Sequence, residues 1–137
     1  MMMLRYMLDT NTVSHLVKGH PGVVQRVVSL PMADLCISAV TEGELLFGLA
    51  KRPEATRLHK VVHEFLLRVD SLPWDSTVAA HYGPLRAALT QQGRVLAPLD
   101  CMIACHAHSV GAVLVSSDRA FVQVAALQVQ DWAAASH

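Results

Sequence analysis

Short apolar runs alternate with longer stretches of helical periodicity along this chain. The apolar runs predict strands at Arg5–Leu8, Leu35–Ser38, Val69–Leu72, Ala112–Val115 and Leu127–Val129. The stretches between them predict helices at Thr12–Lys18, Pro21–Leu30, Thr41–Ala50, Glu54–Leu67, Asp75–Gln92 and Pro98–Val110. Such alternation is typical of α/β domains, in which helices cover both faces of a mostly parallel sheet.

Several of these boundaries have a local chemical cause. Thr41 with Glu44 has the spacing of a capping box, and Pro98 suits the first turn of a helix. Gly93 and Gly111 suit the ends of the two helices that precede them. The helix that begins near Asp75 has an apolar stripe formed by Val78, Tyr82, Leu85 and Leu89. This stripe predicts that the helix packs against the sheet.

Length and composition point to one cytoplasmic domain, residues 1–137. Apolar residues make up 53% of the chain and charged residues only 16%, so part of the apolar excess is expected to face a partner. No apolar run approaches the ~18 residues of a membrane span, and the opening segment reaches Asp9 too soon for a signal peptide. The three cysteines are Cys36, Cys101 and Cys105. Their number and spacing match no disulfide framework, which favours a reducing compartment.

The formal net charge of zero gives no overall signature of a nucleic-acid-binding protein. Basic residues nevertheless cluster locally, at Lys51, Arg52, Arg57 and Lys60 and again at Arg86 and Arg94. An enzyme that binds RNA only transiently could use such local clusters. The alternative is that these residues only solvate exposed helix faces.

Four of the acids occupy places where a parallel sheet gathers functional groups. Asp9 and Asp118 follow predicted strands, while Glu44 and Asp100 fall in the first turns of predicted helices. These positions share the carboxyl edge of the sheet, so the four carboxylates are expected to converge. Oxygen ligands of this kind suit Mg²⁺ or Mn²⁺.

Each of these acids also has a purely structural interpretation. Asp9 and Asp118 could cap the helices that follow them, and Glu44 could complete a capping box with Thr41. Asp100 could be an acid that the helix dipole favours. Spacing alone leaves both interpretations open.

The segments that contain these acids carry a family resemblance. They are Met7-Leu8-Asp9-Thr10-Asn11-Thr12, Ile37 to Gly48 around Thr41-Glu42-Gly43-Glu44, Gln92 to Ala104 around Pro98-Leu99-Asp100, and Val115-Ser116-Ser117-Asp118-Arg119-Ala120-Phe121. In this order they resemble the signatures of the VapC-type PIN-domain ribonuclease toxins of bacterial toxin–antitoxin pairs. With the closing Val129-Gln130-Asp131-Trp132, the resemblance spans residues 4–132.

The resemblance implies a PIN fold, a three-layer sandwich around a mostly parallel sheet of about five strands. It assigns catalysis and Mg²⁺ or Mn²⁺ binding to Asp9, Glu44, Asp100 and Asp118, with Asn11 and Ser116 as supporting polar residues. Metal-assisted hydrolysis of RNA, with tRNA as a candidate substrate, is the implied reaction. A VapB-like antitoxin and a homodimer are the implied partners.

Two departures from the family pattern concern fine tuning rather than activity. Ala97 stands where many relatives carry Gly, and Ser116-Ser117 replaces a commoner Thr-Asn pair. An antitoxin tail would have apolar residues to cover among Val23, Val24, Val27, Leu45, Leu46, Phe47 and Leu49.

Other patterns suggest alternative sites or functions. His59 and His63 share a helical face as zinc ligands can, but the Glu of a zincin helix is missing, and a solvated face is favoured. Cys101 and Cys105 are expected in the core. A receiver-like signalling domain would need an acid pair where Asp9 stands alone. A catalytically inactive PIN-like binding module remains the other alternative, against which four intact acids argue.

Overall fold

A five-stranded sheet organises the chain between residues 4 and 134, the part that the computed structural model describes. Its strands are β1 (Tyr6–Leu8), β2 (Leu35–Ser38), β3 (Asp70–Leu72), β4 (Val113–Val115) and β5 (Val129–Gln130). All pairings are parallel, and the order across the sheet is β3-β2-β1-β4-β5. The α/β prediction and the predicted five strands are confirmed.

Six helices connect the strands. They are α1 (Thr10–Val17), α2 (Pro21–Val28), α3 (Ala39–Ala50), α4 (Thr56–Arg68), α5 (Ser76–Gln91) and α6 (Pro98–Val110), with short 3₁₀ turns at Met32–Asp34 and Arg119–Gln123. Pro98 opens α6, as predicted, and Gly111 ends it in the left-handed conformation with φ of 69°. No helix within residues 4–134 is long and apolar enough to cross a membrane.

Successive side chains along each strand lie on opposite faces of the sheet. Leu8, Ile37 and Val115 pack with α1 to α4 in one apolar cluster, whereas their neighbours Met7 and Leu114 pack with α6 in a second cluster. This two-residue period places one core on each face of the sheet. The three-layer sandwich is therefore confirmed.

Two details of the helix predictions are wrong. The helix α3 begins at Ala39 because Ser38 accepts a hydrogen bond from the backbone N–H of Val40, so Thr41 lies inside the helix and forms no capping box. Glu44 consequently lies in the second turn of α3. The apolar stripe of α5 faces inward but packs on α6 and the segment around Val124 rather than on the sheet.

Four of the seven apolar residues among which an antitoxin tail was expected to find surface are largely buried. Val23, Val27, Leu45 and Leu49 are buried against the sheet. Leu46 and Phe47 do face outward, with 42% and 63% of their surface exposed. One face of α3 therefore packs into the core, while Leu46 and Phe47 on the other side are exposed and could contact a partner.

Candidate active site

The strand order places a topological switch point between β1 and β4. From β1 the chain moves outward on one side to β2 and β3, and it later returns to the other side of β1 as β4. In open α/β sheets the crevice beyond the carboxyl ends of two such strands is the usual place for a functional site. Asp9 and Ser116 are the first residues after these two strands.

Asp9 is held at this crevice by both strands and by the helix that follows. Its backbone N–H donates to the carbonyl oxygen of Val115 at 3.1 Å, and its Oδ1 accepts the Thr12 N–H at 2.8 Å. The side chain is 4% exposed. The capping interpretation is thus correct for one carboxylate oxygen, while Oδ2 receives no hydrogen bond from residues 4–134.

Asp118 is presented by a turn that continues β4. The Oγ of Ser116 accepts the Asp118 N–H at 3.0 Å, and Ser116 itself is buried. Asp118 Oδ1 accepts the Ala120 N–H at 2.9 Å and so caps the 3₁₀ turn. The carboxylate of Asp118 is exposed to solvent.

Glu44 is anchored by a residue that the sequence analysis did not single out. Thr10, at the start of α1, donates its hydroxyl hydrogen to Glu44 Oε1 at 2.6 Å, and its Oγ1 lies 3.4 Å from that of Thr41. Glu44 therefore turns toward the residue beside Asp9 rather than toward its own helix start. The position of Thr10 directly after Asp9 was the available signal, but no motif gave it a role.

The carboxyl group of Asp100 lies near enough to the other three acids for their charges to affect its ionisation. Its pKa is raised, first by burial and then by the negative charges of Asp118, Glu44 and Asp9. Like charges on separate elements repel in this way only when they share one region of the protein. The structure thus brings all four predicted site acids to the carboxyl edge of the sheet.

The four carboxylates lie in one region but do not form a closed ligand cage. Within residues 4–134 no three His, Cys, Asp or Glu side chains are near enough to hold one ion in common. Asp9, Asp118 and Glu44 each give one oxygen to a donor of the protein. An all-oxygen set with wide spacing fits Mg²⁺, which keeps several waters and takes few direct carboxylate ligands. Asn11 is exposed at the edge of this region, and no hydrogen bond of its side chain joins it to the described chain.

The alternative metal and thiol sites behave as structural residues. His59 Nε2 lies 2.8 Å from the carbonyl oxygen of Arg52, and His63 is exposed. Burial raises the pKa of Cys36 and of Cys105 to about 11, so both thiols stay protonated. Cys101 is buried as well, as expected of a core residue.

Comparisons with known proteins agree with the observed fold and identify the family. The PIN-domain family model matches residues 6–127. The "tRNA(fMet)-specific endonuclease VapC" of Shigella flexneri is 40% identical over 131 residues, which is 95% of this chain and 99% of that protein. "Ribonuclease VapC2" of Haemophilus influenzae is 37% identical, with the same coverage of both chains.

The structural comparison gives the same result. The crystal structure of DNA-bound VapBC from Salmonella typhimurium matches with a TM-score of 0.87 and 37% identity, over 95% of this chain and 99% of that one. VapBC2 from Rickettsia felis, bound to a promoter fragment, matches with a TM-score of 0.85 and 26% identity, over 94% of this chain and 99% of that one. The chain belongs to the PIN-domain family and, within it, to the VapC ribonucleases.

Proposed function

We propose that this protein is a Mg²⁺- or Mn²⁺-dependent endoribonuclease that acts as the toxin of a VapBC-like pair. The observation that carries the metal-dependent mechanism is the set of carboxylates at the switch point, where burial and then the charges of the other three acids raise the pKa of Asp100. Such a concentration of negative charge is unfavourable in the free protein and is relieved by a bound cation. Family membership supports the ribonuclease activity itself.

Each acid has a distinct part in the proposed site. Asp9 and Asp118 would bind a divalent ion through the oxygens that do not cap helices, and Glu44 would do so in the orientation that Thr10 holds. Asp100 would contribute a fourth carboxylate from the first turn of α6. A bound Mg²⁺ or Mn²⁺ would supply an activated water and stabilise charge on the leaving oxygen of a phosphodiester.

RNA cleavage with metal removal and return tests this assignment. Purified protein is expected to cleave RNA with Mg²⁺ or Mn²⁺, to lose that activity in EDTA, and to regain it when metal is restored. The relative from Shigella flexneri makes the initiator tRNA the first substrate to test, with an elongator tRNA beside it. The Asp9→Asn variant should be inactive, whereas Asp34→Asn, at an acid outside the site, should retain activity. Cleavage that survives both EDTA and Asp9→Asn would refute the mechanism.

The outward face of α3 supports the proposed antitoxin partner. Leu46 and Phe47 are exposed there. A nearby groove of about 220 Å³ has an apolar floor with Leu45, Leu49 and Val62 and a basic rim, made by Lys18, Lys51 and Arg52. This combination suits an amphipathic segment with acidic residues, and neighbours such as the Salmonella typhimurium structure are VapBC complexes.

Co-expression tests the partner. We expect the protein alone to arrest growth and a VapB-like protein encoded beside it to restore growth and to co-purify. Phe47→Asp should weaken co-purification while leaving RNA cleavage intact. A neighbour that neither binds nor rescues growth would exclude that protein as the antitoxin. The proposed homodimer predicts twice the chain mass in solution by light scattering, and a strictly monomeric active protein would refute it.

A further inference from the structure

A buried polar pair joins the two helices that carry Glu44 and Asp100. Ser38 ends β2 and caps α3, while His106 lies on α6, and both side chains are 0% exposed. The Nδ1 of His106 lies 2.7 Å from the Oγ of Ser38. The register that pairs Met7 with Cys36 also places Ser38 level with Asp9, at the same edge of the sheet.

The direction of this hydrogen bond follows from the one hydrogen that a serine hydroxyl carries. Ser38 Oγ accepts the Val40 N–H at 3.1 Å, and its own hydrogen has no acceptor among residues 4–134 other than His106 Nδ1, so donation from Ser38 leaves fewer buried groups unpaired than donation from Nδ1–H would. A neutral imidazole then carries its proton on Nε2. Burial lowers the pKa of His106, against a smaller opposing effect of Asp75, and the neutral form agrees with this direction.

The same arrangement leaves a buried donor unpaired. Nε2 of His106 has no hydrogen-bond partner among residues 4–134. An unpaired buried N–H destabilises the folded state, and an apolar side chain of similar size would avoid that penalty. Core filling therefore does not explain a histidine at this position, and the Nδ1 contact with Ser38 is what distinguishes it from an apolar residue.

The pair occupies the junction between two parts of the site. The helices α3 and α6 are in contact, and α6 also packs on β2. Within the described chain, His106 to Ser38 is the only side-chain hydrogen bond between α6 and the segment 35–50. The alignment of α3 with α6 therefore depends on apolar packing and on this directional contact, while Thr10 orients the Glu44 side chain from α1.

We propose that His106 is a positioning residue, which through Ser38 holds α3 against α6 and thereby sets Glu44 against Asp100. This inference rests on the proposed function, because it is the paired carboxylates that give the position its consequence. His106 touches neither RNA nor metal in this account. Its influence travels through the cap of α3 and the alignment of two helices.

Four variants and one control separate positioning from simple stability. His106→Leu removes the acceptor, Ser38→Ala removes the donor, and the double variant removes both. His106→Asn retains an acceptor oxygen near the place of Nδ1. Ile103→Val, at a buried site on α6 in the apolar cluster with Met7 and Leu114, is the control for packing loss.

Calorimetric titration of the RNA-free protein with Mn²⁺ is the first measurement. We expect His106→Leu and Ser38→Ala each to weaken Mn²⁺ binding about tenfold, the double variant to be no worse than His106→Leu, and His106→Asn to recover most of the loss. At saturating Mn²⁺, kcat for RNA cleavage should fall about tenfold with KM changed less than about twofold. Ile103→Val should lower Tm without altering Mn²⁺ affinity.

A metal-free measurement keeps this inference distinct from the proposed function. In the protein without metal or RNA, the amide signals of Glu44 and Asp100 should shift in Ser38→Ala and His106→Leu but not in Ile103→Val. Wild-type protein that neither binds Mn²⁺ nor cleaves RNA would refute the proposed function, and the amide signals would still decide whether the pair aligns the two helices. Unmoved signals, or Mn²⁺ affinity that follows Tm equally in all variants, would overturn the positioning role. If His106→Leu does not fold, His106→Gln takes its place, because its amide reaches the position of Nε2 rather than Nδ1 and leaves the Ser38 cap of α3 intact, whereas Ser38→Ala removes that cap as well.

Discussion

Asp100→Asn should stabilise the metal-free protein while abolishing its metal-dependent activity. The substitution keeps the shape of the side chain and removes one negative charge from the site. In the wild type this carboxyl is partly buried and repelled by the charges of Asp118, Glu44 and Asp9, so its ionised form is unfavourable in the folded state. An amide at this position avoids that repulsion.

The expected size follows from two opposing contributions. A like charge between about 5 and 10 Å away costs roughly 0.4–0.8 kcal/mol in a water-like dielectric, so three such neighbours cost on the order of 1–2.5 kcal/mol. Against this, an acid in the first turn of α6 loses about 0.3–1 kcal/mol of favourable helix-dipole interaction when it is neutralised. The net gain, on the order of 1 kcal/mol, corresponds to a Tm increase of roughly 3–5 °C for a chain of this length.

The pH dependence has a defined sign. Because the folded-state pKa of Asp100 is raised, the folded protein binds this proton more tightly than the unfolded chain does, and the group lowers stability as pH rises above its ordinary value of 3.8. The stability advantage of Asp100→Asn should therefore be present at neutral pH and should vanish as pH falls toward 3.8. Thermal melts in EDTA between pH 3.5 and 7.5, repeated with excess Mn²⁺, measure both the gap and its closure.

One combination of results would refute this reasoning. If Asp100 were only a first-turn acid favoured by the helix dipole, Asp100→Asn would lower Tm in EDTA by the few degrees that about 0.3–1 kcal/mol produces and would leave RNA cleavage intact. A destabilised and fully active variant would remove Asp100 from the site. Surface variants such as Glu64→Gln serve as the baseline for a neutralised acid outside the cluster.

Two further predictions concern single contacts. Thr10→Val keeps the size of the side chain but removes the donor to Glu44 Oε1, so RNA cleavage should fall about tenfold, stability should fall by about 1 kcal/mol, and Thr10→Ser should restore both. Gly22→Ala would place its Cβ 2.8 Å from the carbonyl oxygen of Trp132, which should cost about 1–3 kcal/mol in a denaturant melt, whereas Gly43→Ala, in open space within α3, should stabilise by up to about 1 kcal/mol. Equal Tm values for the two glycine variants would contradict the second prediction, and a fully active Thr10→Val would contradict the first.

The elements that sequence alone predicted are those whose signal is local. The strands β1, β2 and β4 are short apolar runs, and the boundaries at Pro98 and Gly111 depend on backbone chemistry that does not need the rest of the fold. The start of α3 was misplaced because Ser38 and Thr41 both suit an N-cap, and the choice depends on where β2 ends. The partner of α5 could not be read either, since a helical stripe shows that a face is buried but not what covers it.

The shared location of the four acids was predictable because strand ends and helix starts of a parallel sheet share one edge. The residues that orient them were not. Thr10 reaches Glu44 across 34 positions and His106 reaches Ser38 across 68, and neither spacing forms a pattern in the sequence. Contacts of this kind exist only once the sheet order has brought the helices together, so the structure was needed to find them.

The most direct measurement for the metal site is the anomalous difference density of crystals soaked in Mn²⁺. We predict a peak at the carboxyl edge of the sheet between β1 and β4, near the carboxylates of Asp9, Glu44, Asp100 and Asp118, and no such peak in crystals of Asp9→Asn. A peak at His59 and His63 alone, or none at the acidic cluster in crystals of an active protein, would contradict this prediction.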